Sequence, residues 1–344
     1  MGLFERMRRS VGGNDIGMDL GTGNTLIHVR GYGVVVNEPS VVAMSREGGE
    51  VVAIGLEAKR MLGRTNPDVE AIRPMRGGVI ADIDVAEVMI REFLRKATAK
   101  RLIRTKPRMV IGVPSGITDL ERRAVKAAAF AAGAREVHLL AEPMAAAIGA
   151  GLPVTTPTAS MVVDIGGGST EIAVISLGGI VSDASIRVAG DRLDREIASF
   201  VRKKYNLLIG DGTAEEVKMR IGSAWPVDGV HPMEVRGRDV VTGIPRTIVV
   251  DPEDVREAIS EAVQQITDAT LKALEKTPPE LAGDIVDRGI TMTGGGALIR
   301  GLGERLAEET NLPVRADEDP LGSVVRGTAM VLEQTSELQG VLAA

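Results

Sequence analysis

Apolar residues run up to an aspartate, break at a glycine-rich turn and resume, and the chain does this twice. IGMDLGTGNTLIHV (16–29) superposes on MVVDIGGGSTEIAV (161–174). Asp19 falls on Asp164, Gly21 on Gly166, Gly23 on Gly168, Asn24 on Ser169 and Thr25 on Thr170; Ile27 and Val29 meet Ile172 and Val174. Each copy is predicted as strand, tight turn, strand. Later in each copy the pattern agrees again. MVIGVPSG (109–116) and ITMTGGGALI (290–299) read as strands ending in turns. LLAEPMAAAIGAG (139–151) and ADEDPLGSVVRGTA (316–329) each put an acid and a proline ahead of a small-residue helix. Proline suits the first helical turn, where its missing N–H has no partner to lose.

The periodicity therefore predicts an α/β protein of two duplicated domains with a cleft between them. The first spans 13–155 and the second 156–329. Segments 31–79 and about 191–250 have no counterpart in each other and are expected as unlike smaller insertions. Asp84 is the expected cap of a helix running to about Lys100. Thr118 with Glu121, and Thr213 with Glu216, read as capping boxes. Pro252 opens a long helix with Val255, Ile259, Val263, Ile266 and Leu274 on one face, ended by Pro278-Pro279.

The paired turns carry chemistry. Glycine lets backbone approach a ligand closely, and successive N–H groups form an anion nest. An aspartate at the strand end can hold the water shell of Mg²⁺. Two such turns face to face would clamp a polyphosphate from both sides.

Composition removes alternatives. A 344-residue chain exceeds one ordinary core. Net charge −6 and an aromatic content of 2% argue against a nucleic-acid partner. The absence of cysteine excludes a disulfide framework and thiolate metal sites, and fits a reducing compartment. No apolar run approaches the roughly 18 residues of a membrane span. His28, His138 and His231 are too scattered to be expected as metal ligands, and Trp225 is expected to pack in a loop.

Two segments suggest a surface. In MGLFERMRRSVGG, Leu3, Phe4, Met7 and Val11 share one face of a helix, with Arg6, Arg8 and Arg9 elsewhere. Residues 1–12 are therefore expected as an amphipathic membrane-binding segment. The run 95–108 carries seven basic residues and no acid. It reads as a solvated helix end or, with Phe93 and Leu94, as a second candidate anchor.

Two repeated halves with these motifs resemble the actin, heat-shock chaperone and sugar-kinase superfamily. Within it, DLGTGNTLIHVRGYGVVVNEPSVVA, EPMAAAIGAGLP, MVVDIGGGSTEIAVISLGGIV, RVAGDRLD, LLIGDGTAEEVKMRIGSA and TGGGALIRGL resemble the MreB/Mbl family of bacterial actin homologues, over about 15–333. The resemblance implies an actin-like fold, with a helix in 330–344 returning to the first domain, and ATP or ADP bound with Mg²⁺ between the domains. It implies one phosphate loop at Gly21, Thr22, Gly23, Asn24 and Thr25, and a second at Gly166, Gly167, Gly168, Ser169 and Thr170. Asp19 and Asp164 would flank the cation. Gly294, Gly295, Gly296 and Ala297 would border the adenosine; Glu215, Glu216 and Lys218 would lie near ribose and base. Glu142, helped by Ser169, would orient the attacking water. It further implies slow hydrolysis that switches a polymer of paired protofilaments. The polymer would lie on the anionic inner face of the cell membrane, with membrane proteins of cell-wall elongation and rod shape as partners. The chain departs from the family at Gly23 (usually Ala), Ser169 (usually Thr) and Ala141 (usually an acid). A small-molecule kinase of the same superfamily is the alternative function.

Overall fold

The computed structural model describes residues 15–99, 106–333, 338 and 341. The amino-terminal residues Leu3, Phe4 and Met7 lie outside them, as does most of 334–344.

The first apolar run forms β1 (Ile16–Leu20), and the run after the turn forms β2 (Asn24–Val29) and β3 (Gly33–Pro39). A small sheet follows, made of β4 (Val42–Ser45), β5 (Val51–Ile54) and β6 (Val69–Ile72), with helix α1 (Leu56–Met61) between the last two. The hairpin β7 (Met75–Arg76) and β8 (Val79–Ile80) leads to α2 (Ile83–Thr98), then β9 (Arg108–Val113), α3 (Asp119–Ala131), β10 (Glu136–Ala141) and α4 (Glu142–Gly149). The second half opens with β11 (Ser160–Ile165), β12 (Thr170–Ser176) and β13 (Gly179–Ile186). Its smaller unit has α5 (Gly190–Tyr205), β14 (Leu207–Leu208), α6 (Asp211–Ile221), β15 (Met233–Asp239) and β16 (Pro245–Val250). Then come α7 (Pro252–Glu275), α8 (Pro279–Arg288), β17 (Ile290–Thr293), a 3₁₀ turn at Gly295–Leu298, α9 (Leu302–Thr310), β18 (Val314–Ala316) and α10 (Ser323–Glu333).

The duplication extends to strand order. The first sheet runs β3-β2-β1-β9-β10 and the second β13-β12-β11-β17-β18. Directions agree as well: the first three strands of each are mutually antiparallel, and the remaining two join in parallel. Because β3 is the counterpart of β13, the first insertion starts after Pro39 rather than at residue 31.

Three local readings change. Helix α2 is capped by Asp82, whose carboxylate accepts the Val85 N–H at 3.0 Å, so Asp84 sits inside the first turn. Thr118 and Glu121 do form the capping box. Thr213 and Glu216 do not: α6 begins earlier, at Asp211, and Gly210 caps it without a side chain. Phe93 and Leu94 are buried in the first half's core against β1 and β9 residues, so neither is available to a membrane. Among the described residues no helix is long and apolar enough to cross a membrane.

Between the sheets lies a shared apolar layer. Helices α4 and α10 pack there with Val110 and Leu140 of the first sheet and Val162, Ala173 and Ile175 of the second. Helix α10 also covers β1, so the return to the first half starts at Ser323. The helices touch backbone to backbone: a Cβ on Gly149 would collide with the Ser323 carbonyl, and one on Gly327 with the Ala145 carbonyl. Gly327→Ala should therefore lower the melting temperature, at a cost of about 1–3 kcal/mol for overpacking. Gly283→Ala in α8, where a Cβ meets open space, should instead gain about 0.5–1 kcal/mol. Thermal unfolding of both variants decides; an unchanged melting temperature for Gly327→Ala would contradict the close approach.

Candidate functional site

Each glycine turn is held from behind. In the first, the Ser40 hydroxyl donates to the Gly21 carbonyl at 2.6 Å, and the Ser40 N–H donates to that of Gly23 at 3.0 Å. In the second, the start of α5 does this work: the Gly190 and Asp191 N–H groups donate to the Gly166 and Gly167 carbonyls at 3.2 and 2.7 Å. The turns meet tip to tip. A Cβ on Gly167 would lie 2.9 Å from the Gly23 nitrogen, so glycine is required there. Gly23 is different. A Cβ would meet only the Gly167 Cα, at 3.8 Å, so the methyl of the family's usual alanine has room.

A cavity of about 560 Å³ opens beside this contact, between the halves. From the first half it is lined by Asp19, Gly21, Thr22, Gly23, Asn24 and Glu142. The second half contributes Asp164, Gly166, Gly167, Gly168 and Ser169, with Glu215 and Lys218 at one rim and Gly294, Gly295 and Gly296 along a wall. Four expected residues do not line it. Thr25 bonds to Ser40 at 2.9 Å, and Thr170 donates to the Val188 carbonyl at 2.7 Å, so both hydroxyls brace the turns. Glu216 lines a separate cavity and pairs with Arg220 at 3.2 Å. Ala297 is buried in the second half's core.

Several lining residues escaped sequence reasoning. Lys59 of α1 reaches over the opening to Glu215 at 2.7 Å, joining the two insertions; its sequence context carried no signal. Gly78, in the β7–β8 turn, donates its N–H to the Thr22 hydroxyl at 2.9 Å. Met219, Leu298, Ile299 and Leu321 make one end apolar. Leu298 and Ile299 directly continue the GGGA motif, which was the available clue.

The other end is acidic. Asp19 is the next-to-last residue of β1, and Asp164 that of β11, the equivalent strand of the second half. Burial pushes the Asp19 carboxyl up to about 8, and the Asp164 charge adds to it. Burial raises Asp164 to about 7 despite the Thr293 hydroxyl that it accepts at 2.8 Å, with Glu171 adding to the rise. Glu142, at the first turn of α4, is raised well above its ordinary value by burial and then by Asp19, Asp164 and Glu171. Its carboxyl makes no hydrogen bond among the described residues, and neither does the Ser169 hydroxyl. Buried groups without partners that face a cavity are placed for a ligand. No cluster of three or more His, Cys, Asp or Glu among the described residues is arranged for a bare metal ion. Two carboxylates instead suit a cation that keeps most of its water and takes other oxygens from a phosphate.

These shifts fix a sign. An unfolded chain releases the Asp19 and Asp164 protons near 3.8, whereas the fold holds them to about 8 and about 7. Between those limits the native state binds more protons, so the stability of the ligand-free chain falls as pH rises through that window. Asp164→Asn should flatten the fall. Melting temperatures of the ligand-free chain and the variant, taken from about pH 5 to about pH 8, check this; identical slopes would contradict the buried, protonated acids.

The comparisons with known proteins agree with this fold. A family model described as MreB/Mbl protein matches residues 13–340. The cell shape-determining protein MreB of Escherichia coli (strain K12) is 51% identical over 329 residues, covering 94% of this chain and 95% of that protein. The cell shape-determining protein Mbl of Bacillus subtilis (strain 168) is 49% identical over 324 residues, covering 94% and 97%. The crystal structure of MreB5 of Spiroplasma citri bound to ADP superposes with a TM-score of 0.89 at 39% identity, covering 94% of this chain and 97% of that one. The AMPPNP-bound form of the same protein gives 0.88 at 38%, covering 94% and 96%. The fold is actin-like, and the chain belongs to the MreB/Mbl family of bacterial actin homologues.

Proposed function

We propose that this chain binds ATP and ADP in the interdomain cavity and assembles into cytoskeletal filaments on the inner face of the cell membrane. There it organises cell-wall synthesis and rod shape. The observation that carries the reading is the meeting of two duplicated Asp–glycine turns around a cavity holding an unpartnered Glu142. Support comes from the nucleotides in the MreB5 structures and from the cell-shape role in the relatives' names.

Backbone N–H groups of both turns and the Ser169 hydroxyl would receive the phosphates. The apolar end, with Met219, Leu298 and Leu321, would take the base, and Glu215 and Lys218 would lie beside the ribose. Asp19 and Asp164 would hold Mg²⁺ through water, and the ion would neutralise charge on the transferring phosphoryl group. Glu142 would orient a water toward the terminal phosphate, with Ser169 beside it. With Ala141 in place of the usual acid, Glu142 works without a neighbouring charge on its own helix start. Hydrolysis is slow and serves as a switch on the polymer.

The membrane reading rests on residues 1–12, outside the described residues. Burying a large apolar side chain is worth roughly 1.5–3 kcal/mol, and a basic residue near anionic lipid about 1. Ordering a short helix offsets much of this, so one copy binds weakly and a filament binds by avidity.

Two outcomes follow. Glu142→Ala should keep ATP binding near wild type and slow phosphate release by on the order of 100-fold. An unchanged rate would move the water-orienting role elsewhere, and ADP formation driven by an added sugar would favour the kinase alternative. Deleting residues 1–12, or changing Leu3 and Phe4 together to Glu, should free filaments from anionic liposomes without stopping ATP-dependent pelleting. Equal co-sedimentation with lipid at matched polymer mass would rule out the amino-terminal anchor.

A further inference from the structure

The duplication breaks at one position beside the site. Leu26 of β2 pairs with Asp19, and Glu171 of β12 pairs with Asp164 in the same register. The first half thus carries an ordinary apolar strand residue, and the second half a carboxylate that is only 1% exposed. A buried carboxylate is costly unless hydrogen bonds replace its water. Three do so. The Ser115 N–H and hydroxyl donate to one oxygen at 3.2 and 2.9 Å, and the Ser185 hydroxyl donates to the other at 2.7 Å. No cationic side chain pairs with it among the described residues.

The donors come from opposite sides of the cleft. Ser185 lies on β13, in Glu171's own sheet, whereas Ser115 follows β9 in the first half. The Ser115 loop also reaches the phosphate end of the cavity. The Cβ position of Gly78 lies 3.1 Å from the Pro114 ring and 2.7 Å from the Ser169 hydroxyl, so three segments converge there. Keeping Glu171 satisfied in this arrangement requires that the halves stay together. Parting them would remove both Ser115 donors at once and leave half the carboxylate to be rehydrated.

We propose that Glu171 is a positioning residue that latches the Ser115 loop of the first half onto the second half at the phosphate end of the cleft, and so sets how long a nucleotide stays bound. The inference rests on the reading of the cavity as a nucleotide site. The latch differs in kind from the Lys59–Glu215 pair at the rim. Those side chains are 31% and 29% exposed, so salt screens them, whereas Glu171 is shielded from salt.

The test is release of a fluorescent ADP with Mg²⁺ from the full-length chain, chased by excess unlabelled ADP. Ser115→Ala, a loop variant that leaves both cores intact, should speed release roughly tenfold or more, the order expected for losing a hydrogen bond to a charged group. Ser115→Thr, which keeps the hydroxyl, should restore a near wild-type rate. Glu171→Leu, which installs the residue that the first half carries at this position, should speed release comparably. Combining it with Ser115→Ala should add little, because both remove one contact. The acceleration by Ser115→Ala should persist at about 0.5 M salt, while any effect of Lys59→Ala should shrink. If the wild type binds the probe and Ser115→Ala and Glu171→Leu release it at the wild-type rate, or their effects multiply in full, the latch is overturned and the nucleotide reading stands. If the wild type fails to bind the probe, the nucleotide reading falls, and the latch with it.

Discussion

Two small-residue helices packed backbone against backbone set the spacing of everything else in this protein. Helix α4 opens at Glu142 directly after β10, and α10 follows the equivalent strand β18 of the second half. Their contact, made possible by Gly149 and Gly327, brings two separately built sheets to one apolar layer. With that spacing fixed, the turns after β1 and β11 must meet. The same helix start carries Glu142 to the place where Asp19 and Asp164 converge. Packing thus determines the site's geometry.

The arrangement carries an electrostatic cost. Carboxyl groups of Asp19, Glu142 and Asp164 share one poorly solvated region, while the cationic groups at the cavity are engaged elsewhere: Lys59 pairs with Glu215, Lys218 with Asp194, and Arg300 donates to the Met219 and Gly222 carbonyls. Burial holds all three acids above their ordinary values, and neighbouring carboxylates add to it: Asp164 on Asp19, Glu171 on Asp164, and Asp19, Asp164 and Glu171 on Glu142. Such a site gains most from a ligand that brings its own cation and its own row of acceptors for the exposed N–H groups. A nucleoside polyphosphate with a divalent ion has both.

The duplicated motifs were legible because turn chemistry and strand alternation are local. Asp19, Gly21–Gly23 and their counterparts announced themselves by register, and the acid-Pro helix starts did so by composition. Individual hydroxyls were less legible. In sequence nothing separates the hydroxyls of Thr25 and Thr170 from those of Thr22 and Ser169, yet strand pairing turns the former to Ser40 and Val188. Glu216 and Glu215 are neighbours, and only the exact start of α6 decides which faces the cavity; the misplaced capping box at Thr213 hid that start. Lys59 and Gly78 come from the unlike insertions, where no repeat exists to align. Phe93 and Leu94 beside a basic run looked like an anchor, but the apolar face of α2 is spent on the first half's core.

The central claim is that both halves close on one magnesium nucleotide, each supplying one acid. Calorimetric titration of Mg-ATP into Asp19→Ala and, separately, Asp164→Ala measures it. Loss of binding by similar large factors in both variants, with both proteins still folded, is the result the two-sided site predicts. Wild-type affinity in either variant would contradict it.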